Sequence, residues 1–253
     1  MLNVTDLGEG IPVLWVHGYP LASSVFEQQL AIRGIRHIMP DLPGFGQSRA
    51  NVGDVTIDDY ARILLEVLDQ RGLDQAIFAG LSMGGYICLA AARLAPHRLR
   101  GLILLDTRET PDTPEARKGR YESIEKVQRE GVQPIADAML PKMLTAAAPR
   151  ELKDRVREIM TSSSAEGMIA ALKAMAERAD SSAVLPAIDV PTLIVVGEED
   201  TITPPSDAER MAQAMPQARV VRIPGAAHLA NVEKAEEVNR AIGAFVTGYR
   251  PKR

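Results

Sequence analysis

Short apolar segments alternate with longer segments of helical period along most of the chain. Apolar runs of about five residues, rich in Val, Ile and Leu, are typical of strands that are covered on both faces, as in parallel sheets. Such runs predict strands at residues 12–16, 35–39, 76–79, 101–105, 192–196 and 219–223. Strand and helix in alternation predict an α/β fold with a doubly wound, mostly parallel sheet.

The alternation stops between residues 109 and 184, where no strand-like run occurs. Helical segments are predicted there at residues 115–130, 132–140, 151–161 and 164–179. We interpret the stretch as a helical cap inserted after the strand that ends near Asp106, over the carboxyl edge of the sheet. The interpretation divides the chain into a core domain of residues 1–108 and 185–253 and a cap of residues 109–184.

Half of the ten methionines lie in this predicted cap. Methionine is flexible and fills irregular apolar space, so Met139 and Met143 are candidates for lining an adaptable substrate pocket. Packing of the cap against the core is the alternative explanation for each of them.

Composition and charge restrict the class of protein. The 253 residues are 46% hydrophobic and 25% charged, with a net charge of -4, which does not fit a basic nucleic-acid-binding surface. No apolar run approaches the ~20 residues of a membrane span, and no signal peptide is recognisable at the N-terminus, so we expect a cytoplasmic location. The single cysteine, Cys88, is predicted to be buried, and no clustered ligand set indicates a metal or another cofactor. Oligomeric state stays open.

Gly80-Leu81-Ser82-Met83-Gly84 matches the pattern G-x-S-x-G between a predicted strand and a predicted helix. In this setting a serine sits on a sharp turn with its hydroxyl exposed. The flanking glycines have a steric reason, because a Cβ at either position would collide with the neighbouring strand and helix. Ser82 is therefore the candidate nucleophile.

A serine hydroxyl needs a neighbouring base, and a histidine base needs a carboxylate that orients it. His228 is the candidate base, because it lies in a loop between the last strand and a C-terminal helix, whereas His17, His37 and His97 have structural or surface explanations. Asp200 follows the strand before that loop and is the candidate orienting carboxylate. Asp106, at the end of another strand, is its competitor.

A tetrahedral intermediate also requires hydrogen-bond donors for its negative oxygen. One candidate is the backbone N–H of Met83, the residue after the nucleophile. The other is the backbone N–H of Tyr19, in the loop His17-Gly18-Tyr19-Pro20 after the first predicted strand.

The segments HGYP, DLPGFGQS, GLSMGG, GEEDTITP and PGAAHLANVE make the chain similar to the α/β-hydrolase superfamily, over residues 14–246. Within it the chain resembles bacterial carboxylesterases and enol-lactone hydrolases. The resemblance implies the same roles for Ser82, His228 and Asp200, and for the Tyr19 and Met83 N–H groups. It also implies that Asp41 and Ser48 hold a structural turn. The segment before residue 12 is short, so an edge strand usual in the family is expected to be missing or abbreviated.

The expected function is hydrolysis of a carboxylic ester, with an apolar or aryl part, through an acyl-enzyme. The alternative is a lactonase that acts on an enol-lactone or a similar ring, for which Arg108 is the candidate cation and a solvated surface arginine the competing explanation. A second alternative is a small-molecule sensor that retains the triad. All three imply a small-molecule partner and neither nucleic acid nor membrane.

Overall fold

The parallel sheet is the centre of the fold. The computed structural model describes residues 2–48 and 53–248, so residues 1, 49–52 and 249–253 of the predicted core domain lie outside the described residues. Within the described ranges seven strands form one sheet in the order β1-β3-β2-β4-β5-β6-β7. They are β1 (Val4–Leu7), β2 (Ile11–Val16), β3 (Ile35–Pro40), β4 (Ala76–Leu81), β5 (Leu99–Leu105), β6 (Thr192–Gly197) and β7 (Ala218–Ile223). Only β1 is antiparallel to its neighbour, β3, and the other pairings are parallel. The predicted α/β fold class is confirmed.

Helices cover both faces of this sheet. They include α1 (Ile57–Asp69), α2 (Met83–Leu94), α7 (Pro205–Ala214), α8 (Ala230–Glu233), α9 (Ala235–Thr247) and 3-10 helices at Ser23–Ala31, Pro96–Arg98 and Leu185–Ala187. Leu14 and Val16 of β2 belong to the apolar cluster with α1, α2 and α7, whereas Val13 and Trp15 belong to the cluster with the 3-10 helix after β2 and α9. This alternation is what a strand buried on both faces requires.

Strand β1 does not follow the apolar pattern of the other strands. Its sequence is VTDL, and the side chains of Asp6 and Leu7 are exposed. An edge strand needs one partner only, and here Asp6 forms an ion pair with Arg36 of β3 at 2.8 Å. We expected the edge strand before residue 12 to be missing or abbreviated. The structure has an edge strand there, and it is only four residues long.

The segment between β5 and β6 is helical, as predicted. It contains α3 (Pro114–Glu130), α4 (Gln133–Met143), α5 (Arg150–Thr161) and α6 (Ala165–Ala176). The C-terminal ends of two of these helices differ from the prediction by three residues. Helix α4 continues through Pro141 to Met143, although the proline removes one backbone donor from its last turn. Helix α6 ends at Ala176 rather than 179, and Arg178 folds back to a buried ion pair with Asp112 at 2.8 Å.

This helical insertion between β5 and β6 contacts loops at the carboxyl ends of three strands. Ser163 Oγ lies 3.2 Å from the carbonyl of Pro20, after β2. The N–H of Ser164 donates to the carbonyl of Gly44, after β3, at 2.8 Å, and the N–H of Leu229, after β7, donates to the carbonyl of Met143 at 3.0 Å. The insertion is therefore fixed against the edge of the sheet where the strands end. Among residues 2–48 and 53–248, every helix is too short or too polar to cross a bilayer.

Candidate active site

Ser82 lies on a strained turn between β4 and α2. Its backbone has φ 53° and ψ -115°, a conformation that non-glycine residues rarely adopt. The chain can make this turn only with glycine on both sides, because a Cβ at Gly80 would lie 2.3 Å from the carbonyl oxygen of Gly84, and a Cβ at Gly84 would lie 2.0 Å from that of Val16. The turn holds the Ser82 side chain at the carboxyl end of the central strand.

His228 reaches Ser82 from the loop between β7 and α8. Its Nε2 atom lies 2.9 Å from Ser82 Oγ, and its Nδ1 atom lies 2.8 Å from Asp200 Oδ2. The imidazole is buried, with 1% of the residue exposed. The structure thus brings Ser82, His228 and Asp200, predicted from three distant segments, into one hydrogen-bonded chain.

Asp200 is held as a carboxylate by its own loop. Its Oδ1 accepts the N–H groups of Ile202 and Thr203, and its Oδ2 accepts the hydroxyl of Thr203 at 2.6 Å as well as His228. Burial works against ionisation, but the charge and hydrogen bond of His228 and the bonds from Thr203 outweigh it, so the pKa of Asp200 is lowered. Thr203 was not identified from sequence, since its bond to the Asp200 carboxylate depends on the fold of the loop.

Asp106, the competing carboxylate, has a different environment. It is fully buried at φ 44°, and its Oδ1 accepts the N–H of Gly197 at 2.8 Å. Its Oδ2 has no hydrogen-bond partner among the described residues. Burial, followed by repulsion from Asp200, raises the pKa of Asp106 well above its usual range. The hydrogen bond to His228 Nδ1 is made by Asp200.

The loop after β2 lies directly against the Ser82 turn. A Cβ at Gly18 would lie 3.0 Å from both the Leu81 carbonyl oxygen and the Ser82 Cβ, so any larger residue would push the loop and the turn apart by a few tenths of an ångström. His17 braces the loop: its Nδ1 bonds the Gly18 carbonyl at 2.9 Å and its Nε2 accepts the N–H of Leu42 at 3.0 Å, which makes it a neutral imidazole with the proton on Nδ1. Tyr19 directly follows Gly18, the residue at which this loop contacts the Ser82 turn.

Met83 and Thr107 complete the surroundings of the turn. Met83 is the first residue of α2, where backbone N–H groups lack intrahelical partners. The hydroxyl of Thr107 donates to the Ser82 carbonyl at 2.7 Å and fixes the turn from the end of β5. Thr107 was not predicted, since nothing in its sequence context marks it.

The remaining candidates have other neighbours. Arg108 Nε lies 3.1 Å from Asp207 Oδ2 on α7, and its guanidinium also donates to the carbonyl of Ile202. Met143 is buried, with 1% exposed, in the cluster that contains Trp15, and its carbonyl accepts from Leu229. Met139 is partly buried and packs against both apolar clusters.

The turn DLPGFGQS is organised by Asp41. Its carboxylate accepts from the N–H of Ser23, the N–H of Gln47 and the side chain of Asn3 at 2.8–2.9 Å. The Ser48 hydroxyl donates to the Asp41 carbonyl at 2.7 Å. Both side chains serve the loop and lie in no hydrogen bond with Ser82 or His228.

With this fold and this site, the chain belongs to the alpha/beta hydrolase fold family, whose model matches residues 11–235. Among its relatives, the AB hydrolase superfamily protein YisY of Bacillus subtilis is 32% identical over 96% of this chain and 94% of its own length. A thermophilic esterase from Thermogutta terrifontis, solved with malate bound, is 40% identical with a TM-score of 0.95 over 98% of this chain and 93% of its own. The enol-lactonase of Burkholderia xenovorans LB400 is 27% identical with a TM-score of 0.90, over 97% and 96% of the two chains. The resemblance to carboxylesterases and enol-lactone hydrolases is confirmed.

Proposed function

We propose that this protein is a serine hydrolase that cleaves carboxylic esters through an acyl-enzyme. The observation that carries the proposal is the continuous chain from Ser82 Oγ to His228 Nε2 at 2.9 Å and from His228 Nδ1 to Asp200 Oδ2 at 2.8 Å. A nucleophile, a base in hydrogen-bond reach and a carboxylate that fixes the base are the parts that acyl transfer requires. The similarity to a Thermogutta terrifontis esterase supports the same class of substrate.

In the first half of the proposed reaction, Ser82 Oγ attacks the ester carbonyl carbon while its proton passes to His228 Nε2. The resulting oxyanion accepts hydrogen bonds from the Tyr19 and Met83 N–H groups, each worth about 10²–10³ in rate. His228 then returns the proton to the alcohol oxygen as the C–O bond breaks, which leaves the acyl group on Ser82.

In the second half, a water molecule attacks the acyl carbon and gives one proton to His228 Nε2. The tetrahedral intermediate collapses, Ser82 Oγ takes the proton back, and the carboxylic acid product leaves. Asp200 stays ionised throughout, because its lowered pKa and its hydrogen bonds favour the carboxylate. Its function is to fix the Nδ1–H tautomer of His228 and to stabilise the imidazolium.

We assign residues 109–184 the function of a cap that shapes the substrate pocket, with residues 1–108 and 185–253 as the core domain. The contacts of the insertion with the loops that carry Tyr19 and His228 support this assignment. The apolar character of α6 and of the methionines in α4 favours an ester with an apolar or aryl part. Met139, which is only partly buried, fits a pocket position better than Met143, which is enclosed in the core.

Hydrolysis of a lactone is the second candidate, and the similarity to an enol-lactonase favours it. The same attack on a ring ester opens the ring, with the leaving alcohol kept in the product. The predicted cation, Arg108, is neutralised by Asp207, so it does not support recognition of a carboxylate on the ring. A carboxylate-bearing lactone whose KM rises in Arg108→Ala would restore that role.

The experiment that tests the proposal measures hydrolysis of short p-nitrophenyl esters by Ser82→Ala. We expect kcat/KM to fall by about 10⁴-fold or more, since the nucleophile is lost. Ser206→Ala, an exposed serine on α7, is the control and is expected to retain full activity. Ester hydrolysis that persists in Ser82→Ala would exclude Ser82 as the nucleophile. A wild-type chain that turns over no ester or lactone but binds small molecules would exclude the hydrolase and favour a sensor.

A further inference from the structure

The carboxylate of Glu233 lies where two separate parts of the chain meet. Glu233 is the last residue of α8, five residues after His228. Its Oε1 accepts two hydrogen bonds from Thr145, one from the backbone N–H at 2.9 Å and one from the hydroxyl at 2.7 Å. Its Oε2 accepts the backbone N–H of Ala227 at 2.7 Å. One side chain therefore joins the helical insertion to the residue directly before His228.

A second contact lies on the other side of His228. The N–H of Leu229 donates to the carbonyl of Met143, the last residue of α4, at 3.0 Å. Ala227 and Leu229, which flank His228, are thus both bonded to the segment 143–145, one through Glu233 and one directly. The backbone that carries His228 cannot shift relative to the end of α4 without losing at least one of these bonds.

The chemistry of the contact requires a carboxylate. All three partners of Glu233 are donors, and an ionised carboxyl group is the side chain that only accepts. An amide of the same shape would place an NH₂ group against an N–H donor on one side or the other. The contact is therefore specific for a side chain that accepts hydrogen bonds at both terminal atoms, and not only for a side chain of that length.

We infer that Glu233 is a positioning residue, which holds the His228 imidazole in register with Ser82 and makes that register depend on where the helical insertion sits. This inference rests on the proposed function, since register matters only if His228 acts on Ser82. Because misplacement of a reacting group by about 1 Å costs up to about 10²-fold in rate, a loosened His228 loop reduces kcat. KM changes little, since the carboxylate of Glu233 is occupied by its hydrogen bonds to Thr145 and Ala227.

The variants are Glu233→Gln, Thr145→Val and, as the matched control, Glu237→Gln on the exposed side of α9. Glu233→Gln keeps the shape and loses the acceptor, and we expect kcat to fall on the order of 10- to 100-fold with KM within about twofold. Thr145→Val removes one of the three bonds, and we expect a loss of about two- to fivefold in kcat. Glu237→Gln makes the same charge change and is expected to leave kcat unaltered.

If Glu233 only stabilises the fold, the variants show a different combination of melting temperature and kcat. Glu233→Gln then has a lower melting temperature but an unchanged kcat per folded molecule. Positioning through His228 also predicts non-additivity: in a His228→Ala background, Glu233→Gln causes no further loss of the residual rate. An additive loss, or a normal kcat in both Glu233→Gln and Thr145→Val, would overturn the inference. If Glu233→Gln does not fold, Thr145→Val carries the same test.

The proton resonance of His228 Nδ1–H, hydrogen-bonded to Asp200, gives a readout that needs no substrate. We expect the signal in the wild-type protein, and its broadening or loss in Glu233→Gln as the imidazole loses its fixed position. A wild-type protein that is inactive but shows this change would contradict the proposed function and support the positioning. An active wild type with an unchanged signal in Glu233→Gln would contradict the positioning alone.

Discussion

At the scale of single residues, the site contains two buried carboxylates with opposite properties. Asp200 accepts four hydrogen bonds and faces His228, and its pKa is lowered. Asp106 accepts one bond from Gly197, leaves Oδ2 unpartnered among the described residues and has a raised pKa. Two carboxylates close together cannot both ionise cheaply, and the hydrogen bonds decide which one does. The pKa values of the two carboxyl groups are thus shifted in opposite directions.

Replacement of each aspartate by the uncharged asparagine should therefore distinguish the functions of the two carboxylates. Asp200→Asn is expected to lower kcat by about 10⁴-fold, because an amide favours the wrong tautomer of His228. Asp106→Asn keeps an acceptor for the Gly197 N–H, and its uncharged side chain resembles the protonated form that the raised pKa of Asp106 favours, so kcat is expected to stay within a few-fold. Ester hydrolysis by the purified variants checks this, and a reversed order of the two losses would identify Asp106 as the orienting carboxylate.

The same pair predicts a pH dependence of stability. A carboxyl group whose pKa is raised on folding contributes stability below its unfolded pKa and loses it as the pH rises through the folded pKa. Asp106→Asn cannot titrate, so the free energy of unfolding of the variant should improve relative to the wild type between pH 5 and pH 8. Urea unfolding of both proteins at pH 5 and at pH 8 measures these free energies. If the variant and the wild type differ by the same amount at both pH values, Asp106 is ionised in the folded protein.

At the scale of elements, apolar runs predicted β2 to β7 because those strands are buried on two faces. The same rule could not find β1, whose edge position lets Thr5 and Asp6 take part in a strand. The end of α6 depended on a contact far along the chain, the ion pair of Arg178 with Asp112. Local pattern determines that an element exists, and distant packing determines where it stops.

Two glycines in helices of the insertion test that distinction. A Cβ at Gly167 of α6 would lie 2.5 Å from the Gly44 carbonyl oxygen, whereas a Cβ at Gly119 of α3 meets nothing within 4 Å. Helix propensity alone favours alanine at both by about 1 kcal/mol. We expect Gly119→Ala to be stabilising by up to that amount and Gly167→Ala to be destabilising by about 1–3 kcal/mol, because α6 must move away from the loop after β3.

Urea unfolding of the two glycine variants gives both values directly. The pair is matched in residue type and in helical location, and it differs in the distance to a neighbouring backbone. Equal effects in the two variants would show that the contact between Gly44 and Gly167 is not tight.

At the scale of the whole molecule, the sheet gathers residues that are distant in sequence. Loops at the carboxyl ends of β2, β4, β6 and β7 carry Tyr19, Ser82, Asp200 and His228, and parallel strands bring those ends to one edge. The sequence could indicate these residues because each stands in a motif beside a strand. The ion pair of Arg108 could not be predicted in this way, since its partner, Asp207, lies on another element. Glu233 and Thr145 gave no local signal at all.

In the proposed mechanism His228 activates Ser82 as a nucleophile, and covalent labelling of the serine measures that activation. A fluorophosphonate reacts with an activated serine, and tryptic cleavage after Arg71 and Arg93 yields a peptide in which Ser82 is the only serine. We expect the added mass on this peptide, and a labelling rate about 10²–10⁴-fold lower in His228→Ala. A label on another peptide, or an undiminished rate in His228→Ala, would contradict activation of Ser82 by His228.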